Sequence, residues 1–439
     1  MNMKIAIIGY GTEGKAVAKY FAKKGAQITI CDEGENAKIP SRFKAKLGKK
    51  ALKGLKKYDA VFRSPGIHYK RVENLKNLTS LTEWFFQNCP CPIIGITGTK
   101  GKGTTSTLIY EILKTADYDA YLGGNIGTPP TEFFKKLTPQ SVVVLELSSF
   151  QIQTLQNSPN IAVILNITSD HLDYHEDIKE YREAKAELVK HQHPHEFIIT
   201  NADYKTSRDV AKLSNGVHLS VSTQKNVKSG VQIEGQKIVL KNDGQTIEIM
   251  KMKDVGLIGK HNFENILPAV MAATLMDVTP ANIKKAVKAF KGLPHRLELV
   301  ATRKGVKYYN DSFSTTPETS IAGIQAFNSP TILIAGGSEK KSNFKQWAKA
   351  CMEQKSLKAI ILTGKDSADR MEKELNKALK NSKRRLKISR VLLLEDAMKE
   401  AKTMTKKDWI VLMSPACASF EEFENYKKRG EVFATLAKK

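Results

Sequence analysis

Residues 95–107 read GITGTKGKGTTST and are the stretch that decides the fold. An apolar run, Cys91 to Ile94, precedes them, and apolar residues at helical spacing follow from Leu108 to Leu113. This order predicts a strand, a glycine loop and the start of a helix. Glycines let backbone N–H groups approach an anion, a helix N-terminus adds positive potential, and Lys102 can reach terminal phosphates. The stretch therefore predicts a phosphate-binding loop, with an ordinary Gly/Thr turn as the alternative.

The loop departs from the strict P-loop pattern at two positions. Ile96 stands where that pattern has a glycine, and Gly103 separates Lys102 from the first threonine. A hydroxyl that holds Mg²⁺ is expected next in the chain. Thr104 or Thr105 can supply it, and the inserted Gly103 favours Thr104.

Length and composition are typical of a water-soluble multidomain protein. A chain of 439 residues is too long for a single hydrophobic core, so its length predicts two to four domains. We find no apolar run of membrane-spanning length and no signal-peptide core, and we expect a cytoplasmic location without stable membrane insertion. The five cysteines are scattered, and the spacing of Cys89-Pro90-Cys91 suits neither a zinc knuckle nor a redox motif. We expect reduced thiols.

The formal charge of +25 raises nucleic acid as a partner. Only 12 of the 70 basic residues are arginine, and the lysines are spread along the chain without interleaved aromatic residues. A lysine-rich surface explains this pattern, and a strongly anionic small substrate is compatible with it. We therefore predict no nucleic-acid partner, and keep a nucleic-acid-stimulated ATPase as an alternative.

The first 32 residues have the order of a dinucleotide-binding unit. Residues 4–8 (KIAII) predict a strand, 9–14 (GYGTEG) a glycine turn before a helix, and a second strand ends at Asp32. A new apolar strand begins at residue 92, so the segment is half a dinucleotide fold. We expect a site for one nucleotide; a purely structural turn or a nicotinamide oxidoreductase are the alternatives.

Polar clusters follow two later apolar strands. Glu146 follows the apolar strand predicted over residues 141–145, and His171 lies shortly after the strand predicted over 161–165. Ligands of open parallel sheets bind at the carboxyl ends of strands. Glu146 is therefore expected to complete a Mg²⁺ shell, and His171 to bind a second metal or a substrate phosphate. A helix cap or salt bridge is the alternative for Glu146, and a histidine that is merely hydrogen-bonded beside two aspartates is the alternative for His171.

The second half of the chain predicts further α/β units. We expect a helix over residues 177–191, a small antiparallel excursion over 216–250, and a helix opening near 262. Asn262 and Asn265, three residues apart, are predicted to share a helix face and to hydrogen-bond an adenine, or to cap the helix. Residues 292–296 read as a hinge into a third domain.

Stretches along the whole chain resemble the Mur ligase family: GITGTKGKGTT, GGNIG, LELSSFQ, NITSDHLDYH, YREAK, GKHNFENILPA, GLPHRLE, YYNDSFSTTPE and SPACASFEEFENYKKRGEVFATLAK. The last of these and LELSSFQ discriminate best, since the phosphate loop alone also fits folylpolyglutamate synthetases. The resemblance implies three α/β domains. They are a Rossmann-like UDP-substrate domain over 1–91, a central P-loop-type ATPase domain over 92–297, and a Rossmann-like amino-acid-binding domain over 298–439.

The activity that the resemblance implies is ATP-dependent amide formation, with release of ADP. The stretches are most similar to members that add glutamate, most often D-glutamate, to UDP-N-acetylmuramoyl-L-alanine through an acyl phosphate. This places the chain in cytoplasmic peptidoglycan precursor synthesis, and so in cell-wall biogenesis, cell shape and cell division, and we expect a monomer. A Mur-type or folylpolyglutamate-type ligase for another amino acid, such as L-glutamate, stays open.

The resemblance also assigns site residues. ATP contacts match Gly98, Thr99, Gly101, Lys102, Gly103, Thr104, Thr105, Asn262, Asn265, Arg296 and Asp311. UDP-substrate contacts match Gly11, Thr12, Asp32, Ser64, Gly66, Asn125, Ser148, Gln151 and His171. Amino-acid contacts match Thr315, Lys340, Ser419, Phe420 and Tyr426. Two Mg²⁺ ions are implied, one on Thr104 and Glu146 and one near His171 and Lys185, whose side chain would be N-carboxylated; Lys102, Glu146, His171 and Lys185 are the implied catalytic residues.

Three departures from the family pattern fall at implied sites. Gly103 follows Lys102 where many members have Ser or Thr, and Phe313 stands where many have a lysine near the substrate. Residues 339–341 (EKK) replace a more glycine-rich loop. The last two changes concern the amino-acid pocket. The identity and configuration of the amino acid are therefore the least constrained part of the prediction.

Overall fold

The chain builds three β-sheets in the computed structural model, which describes residues 3–168, 170–171, 174–338, 342–380, 382 and 384–439. By their contacts these residues form two compact units. One runs up to Val255 and includes Phe263–Phe290; the other comprises Gly256–Asn262 and the residues from Lys291 onward. The first two sheets lie in the first unit and the third sheet in the second. The division into three domains over 1–91, 92–297 and 298–439 remains a prediction.

The first sheet has five parallel strands in the order β3-β2-β1-β4-β5. Its apolar strands carry buried side chains on both faces, as expected of a parallel sheet covered on both sides. The elements are β1 (Lys4–Ile8), α1 (Thr12–Ala22), β2 (Gln27–Asp32), β3 (Lys44–Leu47), β4 (Ala60–Arg63), β5 (Leu78–Thr79) and α2 (Leu81–Asn88). The predicted strand, glycine turn, helix and strand are confirmed at the start of the chain.

The second sheet has nine strands in the order β14-β13-β12-β11-β10-β9-β6-β8-β7. Its parallel part places the carboxyl ends of β6, β8 and β9 side by side, because Ile96 pairs with Glu146 and Thr97 with Ile164. Its elements as far as α7 are β6 (Ile93–Thr97), α3 (Lys102–Thr115), β7 (Ala120–Gly124), α4 (Pro130–Phe133), β8 (Val142–Glu146), α5 (Ser149–Ile152), β9 (Ile161–Ile164), α6 (Ile178–Lys190), β10 (Phe197–Asn201) and α7 (Lys205–Ala211).

The predicted small antiparallel excursion over 216–250 is wrong in part. These residues form β11 (Val217–Ser222), β12 (Gly230–Glu234), β13 (Lys237–Asn242) and β14 (Gln245–Lys251). The first two extend the parallel part of the central sheet, and only the last two pairings are antiparallel. Tight turns marked the antiparallel hairpins in the sequence, whereas the parallel pairing of β11 with β10 has no local signature. Two helices, α8 (Phe263–Leu275) and α9 (Pro280–Ala289), complete this unit.

The third sheet has six strands in the order β15-β16-β20-β17-β18-β19, parallel except for the β15–β16 pair. Apolar clusters cover both faces. The elements are β15 (Glu298–Arg303), β16 (Val306–Asn310), α10 (Pro317–Gln325), β17 (Thr331–Gly336), α11 (Lys345–Glu353), β18 (Leu357–Thr363), α12 (Asp366–Lys380), β19 (Lys387–Val391), α13 (Leu394–Met404), β20 (Ile410–Met413) and α14 (Tyr426–Lys438). Among the described residues, no helix combines the length and apolar character needed to cross a membrane.

Candidate active site

The glycine loop joins β6 to α3, as the sequence predicted. Gly101 precedes the first residue of α3 with φ +87°, and Gly98 has φ +148°. A Cβ on Gly98 would lie 2.6 Å from the Cβ of Leu165, and one on Gly101 2.0 Å from Asn265 Oδ1. Both positions therefore require glycine. The result is a helix N-terminus whose first backbone N–H groups face the carboxyl edge of the sheet, which is suited to an anion.

Lys102 is the first residue of α3 and lies against this loop. Its Nζ donates to the carbonyl oxygens of Gly98 at 3.0 Å and Thr99 at 3.1 Å, and it is 4.0 Å from Glu146 Oε1. The ammonium group therefore lies at the phosphate loop and beside the carboxylate that ends β8. The structure thus brings together two residues that the sequence predicted separately for the site.

The two candidate metal hydroxyls differ in their contacts. Thr105 Oγ1 donates to the carbonyl oxygen of Asn265 at 3.3 Å, and Thr105 is fully buried. Within the described part of the chain the Thr104 side chain makes no such bond, and Thr104 is 6% exposed. Because the Thr105 hydroxyl is already engaged by the backbone, the geometry favours Thr104. Gly103 is buried between them and Lys102.

Glu146 is buried at the end of β8, with 2% exposure. Its Oε2 accepts a hydrogen bond from Asn125 Nδ2 at 3.2 Å, and Asn125 N donates to the Glu146 carbonyl oxygen. Its Oε1 is buried and has no hydrogen-bond partner among the described residues. Lys102 Nζ is its nearest described cation at 4.0 Å, and a buried carboxylate oxygen without a hydrogen bond is costly unless a cation or ligand binds it more closely. Asn125 orients this carboxylate, which is a contact that the sequence did not predict.

Lys185 lies on α6 and is 1% exposed. Its Nζ is 3.4 Å from Thr97 Oγ1 and 4.7 Å from the centre of the Tyr181 ring. Burial, reinforced by the positive charge of Lys102, lowers the pKa of Lys185 well below its usual value, and the nearby Glu146 and Asp170 oppose this only in part. Burial and the charge of Lys102 both favour the neutral amine over the ammonium form. Lys185 is therefore not one of the solvent-facing lysines that are common on amphipathic helices.

His171 is held in an uncommon backbone conformation with φ +52°. Its imidazole is 45% exposed, lies with its ring centre 4.9 Å from that of Phe150, and has Nε2 3.7 Å from Asp170 Oδ2. The residue therefore presents a ring nitrogen at the surface near the strand end. Whether it binds a metal or a substrate phosphate stays a prediction.

The glycine turn of the first sheet brings several predicted residues to one edge. Asp32 accepts hydrogen bonds from Tyr10 N and Gly34 N, each at 2.9 Å, and Ser64 Oγ donates to the Gly9 carbonyl oxygen at 2.8 Å. The remaining predicted positions, which are exposed or partly exposed, are Gly11, Thr12 and Gly66. These positions follow β1, β2 and β4, where a parallel sheet binds its ligand.

Sequence reasoning missed the buried polar contacts that join this turn to the central sheet. Gln151 Nε2 donates to Glu13 Oε1 at 2.6 Å, while Gln151 Oε1 accepts from Ser148 N at 2.9 Å. Arg63, only 2% exposed, donates to the carbonyl oxygens of Ile67 at 2.7 Å and Phe150 at 2.9 Å. Ser148 and Gln151 thus form the capping box of α5 as well as lying beside the predicted substrate edge. No local sequence pattern predicts such contacts between distant segments.

A second missed residue is His175, which is 1% exposed. Its Nε2 hydrogen-bonds to Ser149 Oγ at 2.9 Å, and its ring stacks on Phe150 at 5.5 Å between centres. Burial lowers the pKa of this imidazole. His175 is therefore a neutral support for Phe150, which in turn contacts His171.

In the second unit, Phe313 is surrounded by predicted site residues. The Arg296 guanidinium lies 3.7 Å above its ring centre, and the Tyr426 ring meets it edge-on at 5.0 Å. A guanidinium over an aromatic face is held in place by the ring. The phenylalanine that replaces a common lysine thus positions Arg296, although it removes one positive charge from the pocket.

The other predicted nucleotide contacts lie in different settings. Asp311 is buried, and its carboxylate accepts from Ser314 Oγ at 2.6 Å, Ser414 Oγ at 2.7 Å and Leu297 N at 3.2 Å. Burial raises its pKa to about 6. Asn262 ends a short 3₁₀ turn and donates to the Ile258 carbonyl oxygen at 2.6 Å, whereas Asn265 lies in the first turn of α8. The roles of these residues toward a nucleotide stay predictions.

The predicted amino-acid contacts are partly described. Thr315 lies beyond β16 with its N–H donating to the Phe313 carbonyl oxygen, Ser419 is buried, and Phe420 is 68% exposed. Tyr426 opens α14. Lys340 lies outside the described residues. Their role in binding an amino acid remains a prediction.

Three family comparisons together cover most of the chain. Residues 3–79 match the MurD-like N-terminal domain of Mur ligases, residues 96–273 the Mur ligase middle domain, and residues 295–417 the glutamate ligase domain of Mur ligases. The glycine turn at the start of the chain thus falls in a Mur ligase domain. It therefore no longer supports the alternative that the protein is a nicotinamide oxidoreductase.

Individual relatives agree with these matches. The UDP-N-acetylmuramoylalanine–D-glutamate ligase of Clostridium botulinum is 34% identical over 99% of this chain and 96% of its own length. The enzyme of the same name from Acetivibrio thermocellus is 35% identical over the same shares. The UDP-N-acetylmuramate–alanine ligase structure from Thermotoga maritima shares the fold, with a TM-score of 0.62, 16% identity and full coverage of both chains. The pseudomurein peptide ligase structure from Methanothermus fervidus does so with a TM-score of 0.60 and 20% identity over 99% of this chain and all of its own. The chain belongs to the Mur ligase family.

Proposed function

We propose that this protein is an ATP-dependent amide ligase that joins D-glutamate to UDP-N-acetylmuramoyl-L-alanine. The observation that supports this most directly is the position of Lys102, Glu146 and Lys185 at the end of the central sheet. The chain is also 34% identical over 99% of its length to a relative named UDP-N-acetylmuramoylalanine–D-glutamate ligase. The enzyme would act as a cytoplasmic monomer in peptidoglycan precursor synthesis, and through it in cell shape and division.

The reaction needs activation of a poor electrophile. A carboxylate oxygen of the alanyl group attacks the γ-phosphorus of ATP, and ADP leaves. The glutamate amine then attacks the carbonyl carbon of the acyl phosphate, and inorganic phosphate leaves with formation of the amide. Positioning and charge neutralisation carry most of such catalysis. Lys102 and the N-terminus of α3 supply positive potential where the phosphates lie.

The residues present fit two magnesium ions. Glu146 has a buried oxygen without a hydrogen-bond partner among the described residues, and Thr104 offers a hydroxyl at the helix start. Oxygen donors of this kind suit Mg²⁺, which would neutralise phosphate charge when bound. A second ion would lie near His171 and an N-carboxylated Lys185. The lowered pKa of Lys185 supports this, since only a neutral amine forms a carbamate with CO₂.

The first sheet would hold the UDP-linked substrate, and the unit of the third sheet would hold the amino acid. We assign the UDP group to the edge formed by Gly11, Thr12, Asp32, Ser64 and Gly66, with Asn125, Ser148, Gln151 and His171 toward the muramoyl end. The amino acid is assigned to Thr315, Lys340, Ser419, Phe420 and Tyr426. Asn262, Asn265, Arg296 and Asp311 are assigned to the nucleotide.

The deciding experiment measures phosphate release and product mass with ATP, Mg²⁺ and UDP-N-acetylmuramoyl-L-alanine, comparing D-glutamate with L-glutamate. We expect an amide product with D-glutamate only. Lys102→Ala should reduce turnover by about 100-fold or more while the UDP substrate still binds. The matched control is Lys100→Ala, an exposed lysine in the same loop, which should retain activity. If only L-glutamate gives a product, the amino-acid substrate is L-glutamate and not D-glutamate. If phosphate release does not depend on an amino acid, the ligase proposal is refuted.

A further inference from the structure

Cys89 and Cys91 lie where the chain passes from α2 into β6. Cys89 ends α2, with its N–H donating to the Phe85 carbonyl oxygen at 2.9 Å, and β6 leads directly into the phosphate loop. Pro90 fixes the backbone between them. Neither thiol takes part in the proposed reaction.

The two thiols are in contact. Their Sγ atoms are 3.6 Å apart, and Cys89 Sγ is also 3.4 Å from the Cys91 carbonyl oxygen. A disulfide has an S–S distance of about 2.05 Å, so the sulfur atoms would approach by roughly 1.5 Å. All five cysteines are free thiols. The two sulfur atoms of Cys89 and Cys91 therefore lie close to bonding distance.

A cavity gives access to this pair. It has a volume of about 680 Å³ and is lined by Cys89, Cys91, His191, His193 and Glu196 among others. Cys89 is partly exposed, and Cys91 is 8% exposed. A small hydroperoxide fits a space of this size.

The remaining cysteines provide an internal comparison. Cys31 and Cys351 are fully buried, and Cys417 is 4% exposed with its sulfur 4.0 Å from Met371 Sδ. Burial raises the pKa of Cys31 and Cys351. Buried thiols in apolar surroundings react slowly because the thiolate is the nucleophile. We therefore expect these three cysteines to resist oxidation.

The two thiols of the pair have different acidities. A hydrogen bond from the Cys91 side chain lowers the pKa of Cys89. The same contact, with burial and the nearby Asp119, raises the pKa of Cys91. Cys89 is therefore the more acidic of the two thiols, and it is also the more exposed one.

We propose that Cys89 and Cys91 form a reversible oxidation site for small hydroperoxides. The Cys89 thiolate attacks one peroxide oxygen, the O–O bond breaks, and the departing alkoxide or hydroxide is protonated. Cys91 then attacks the sulfur of the resulting sulfenic acid, its thiol proton leaves with the hydroxyl group as water, and the S–S bond forms. Overall, two thiols are oxidised and one hydroperoxide is reduced to an alcohol or water and one further water. The disulfide would fix the chain between α2 and β6.

The experiment treats the reduced full-length protein with hydrogen peroxide under native conditions. We expect the intact mass to fall by two hydrogens, peptide mapping to place the bond between Cys89 and Cys91, and the free thiols to decrease from five to three. Dithiothreitol should restore all five. Oxidation at Cys31, Cys351 or Cys417 should be at least about tenfold slower.

Two variants separate the steps. Cys91→Ser should accumulate a sulfenic acid at Cys89 that dimedone traps, and Cys89→Ser should lose both the disulfide and the trapped adduct. Mapping of the unmodified chain needs no variant and carries the test if either fails to fold. The proposal is overturned if the wild type forms no Cys89–Cys91 bond, or if Cys89→Ser loses two hydrogens as readily as the wild type. It is also overturned if Cys31, Cys351 or Cys417 oxidises before the pair.

Discussion

Lys185 is the residue whose surroundings most change its chemistry. An ammonium group buried to 1% exposure near a second lysine is unfavourable, because desolvation and like-charge repulsion both oppose the charged form. Thr97 and the Tyr181 ring give it only weak partners. The same surroundings favour a neutral amine that can react with CO₂, which supports the proposed carbamate.

Replacing this lysine should therefore remove activity that an added carboxylate can restore. We expect Lys185→Ala to lower kcat by about 100-fold or more, since the charge of the proposed carbamate at the proposed metal site is lost. Formate or acetate should recover part of the loss in a steady-state phosphate-release assay. In the wild type, ¹³CO₂ should give a carbamate signal in ¹³C NMR that Lys185→Ala lacks.

The matched control is Lys179→Ala. Lys179 lies on the same helix with its side chain 80% exposed. Its replacement should leave both kcat and the NMR signal unchanged. Full activity of Lys185→Ala without added acid would contradict the carbamate.

Among the elements, the contact of β1 with α1 depends on a single glycine. Gly14 is buried in α1, and a Cβ there would lie 2.1 Å from the Gly9 carbonyl oxygen and 3.3 Å from Ile7 Cγ2. The helix can therefore pack on the strand only without a side chain at this position. The neighbouring Gly11 is exposed with φ −75°, and nothing lies within 4 Å of an added Cβ.

Gly14→Ala should destabilise the protein because backbone atoms, which cannot move aside, meet the new methyl group. We expect a loss of about 3 kcal/mol in the free energy of unfolding, at the upper end for overpacking. Gly11→Ala should change stability by less than about 0.5 kcal/mol. Urea unfolding monitored by circular dichroism measures both. Equal stabilities of the two variants would show that α1 is not held this closely.

At the scale of the whole molecule, Asp311 links stability to pH. Its pKa is raised from 3.8 to about 6 by complete burial, and hydrogen bonds from Ser314 and Ser414 lower it only in part. Between these two values the unfolded chain is ionised while the folded chain keeps the proton. The folded state therefore binds more protons there, and stability falls as pH rises from about 4 to 6.

Asp311→Asn should remove this dependence. The free energy of unfolding of the wild type should decrease relative to the variant by about 3 kcal/mol between pH 4 and pH 7, from a shift of about two pKa units. Urea denaturation followed by tryptophan fluorescence at each pH gives the difference. The exposed Asp408→Asn serves as control and should track the wild type. A constant difference between wild type and Asp311→Asn would contradict a raised pKa.

Local sequence was sufficient for much of this molecule. The strand, glycine loop and helix at residues 93–115, the opening strand and turn, and the polar ends of β8 and β9 all follow from patterns within about 20 residues. Such features depend on backbone conformation and periodicity, which neighbouring residues control. The family resemblance extended these patterns to a three-domain ligase.

Only the tertiary structure decided which side chains are buried together. It placed Lys185 beside Lys102 and Glu146, engaged Thr105 but not Thr104, and brought Cys89 against Cys91 at a cavity. It also joined β11 and β12 to the parallel part of the central sheet, where the sequence indicated a small antiparallel excursion. Burial and charge coupling arise between segments far apart in the chain, so no local pattern determines them. The sequence by itself thus determined where the phosphate loop lies, and the fold decided what surrounds it.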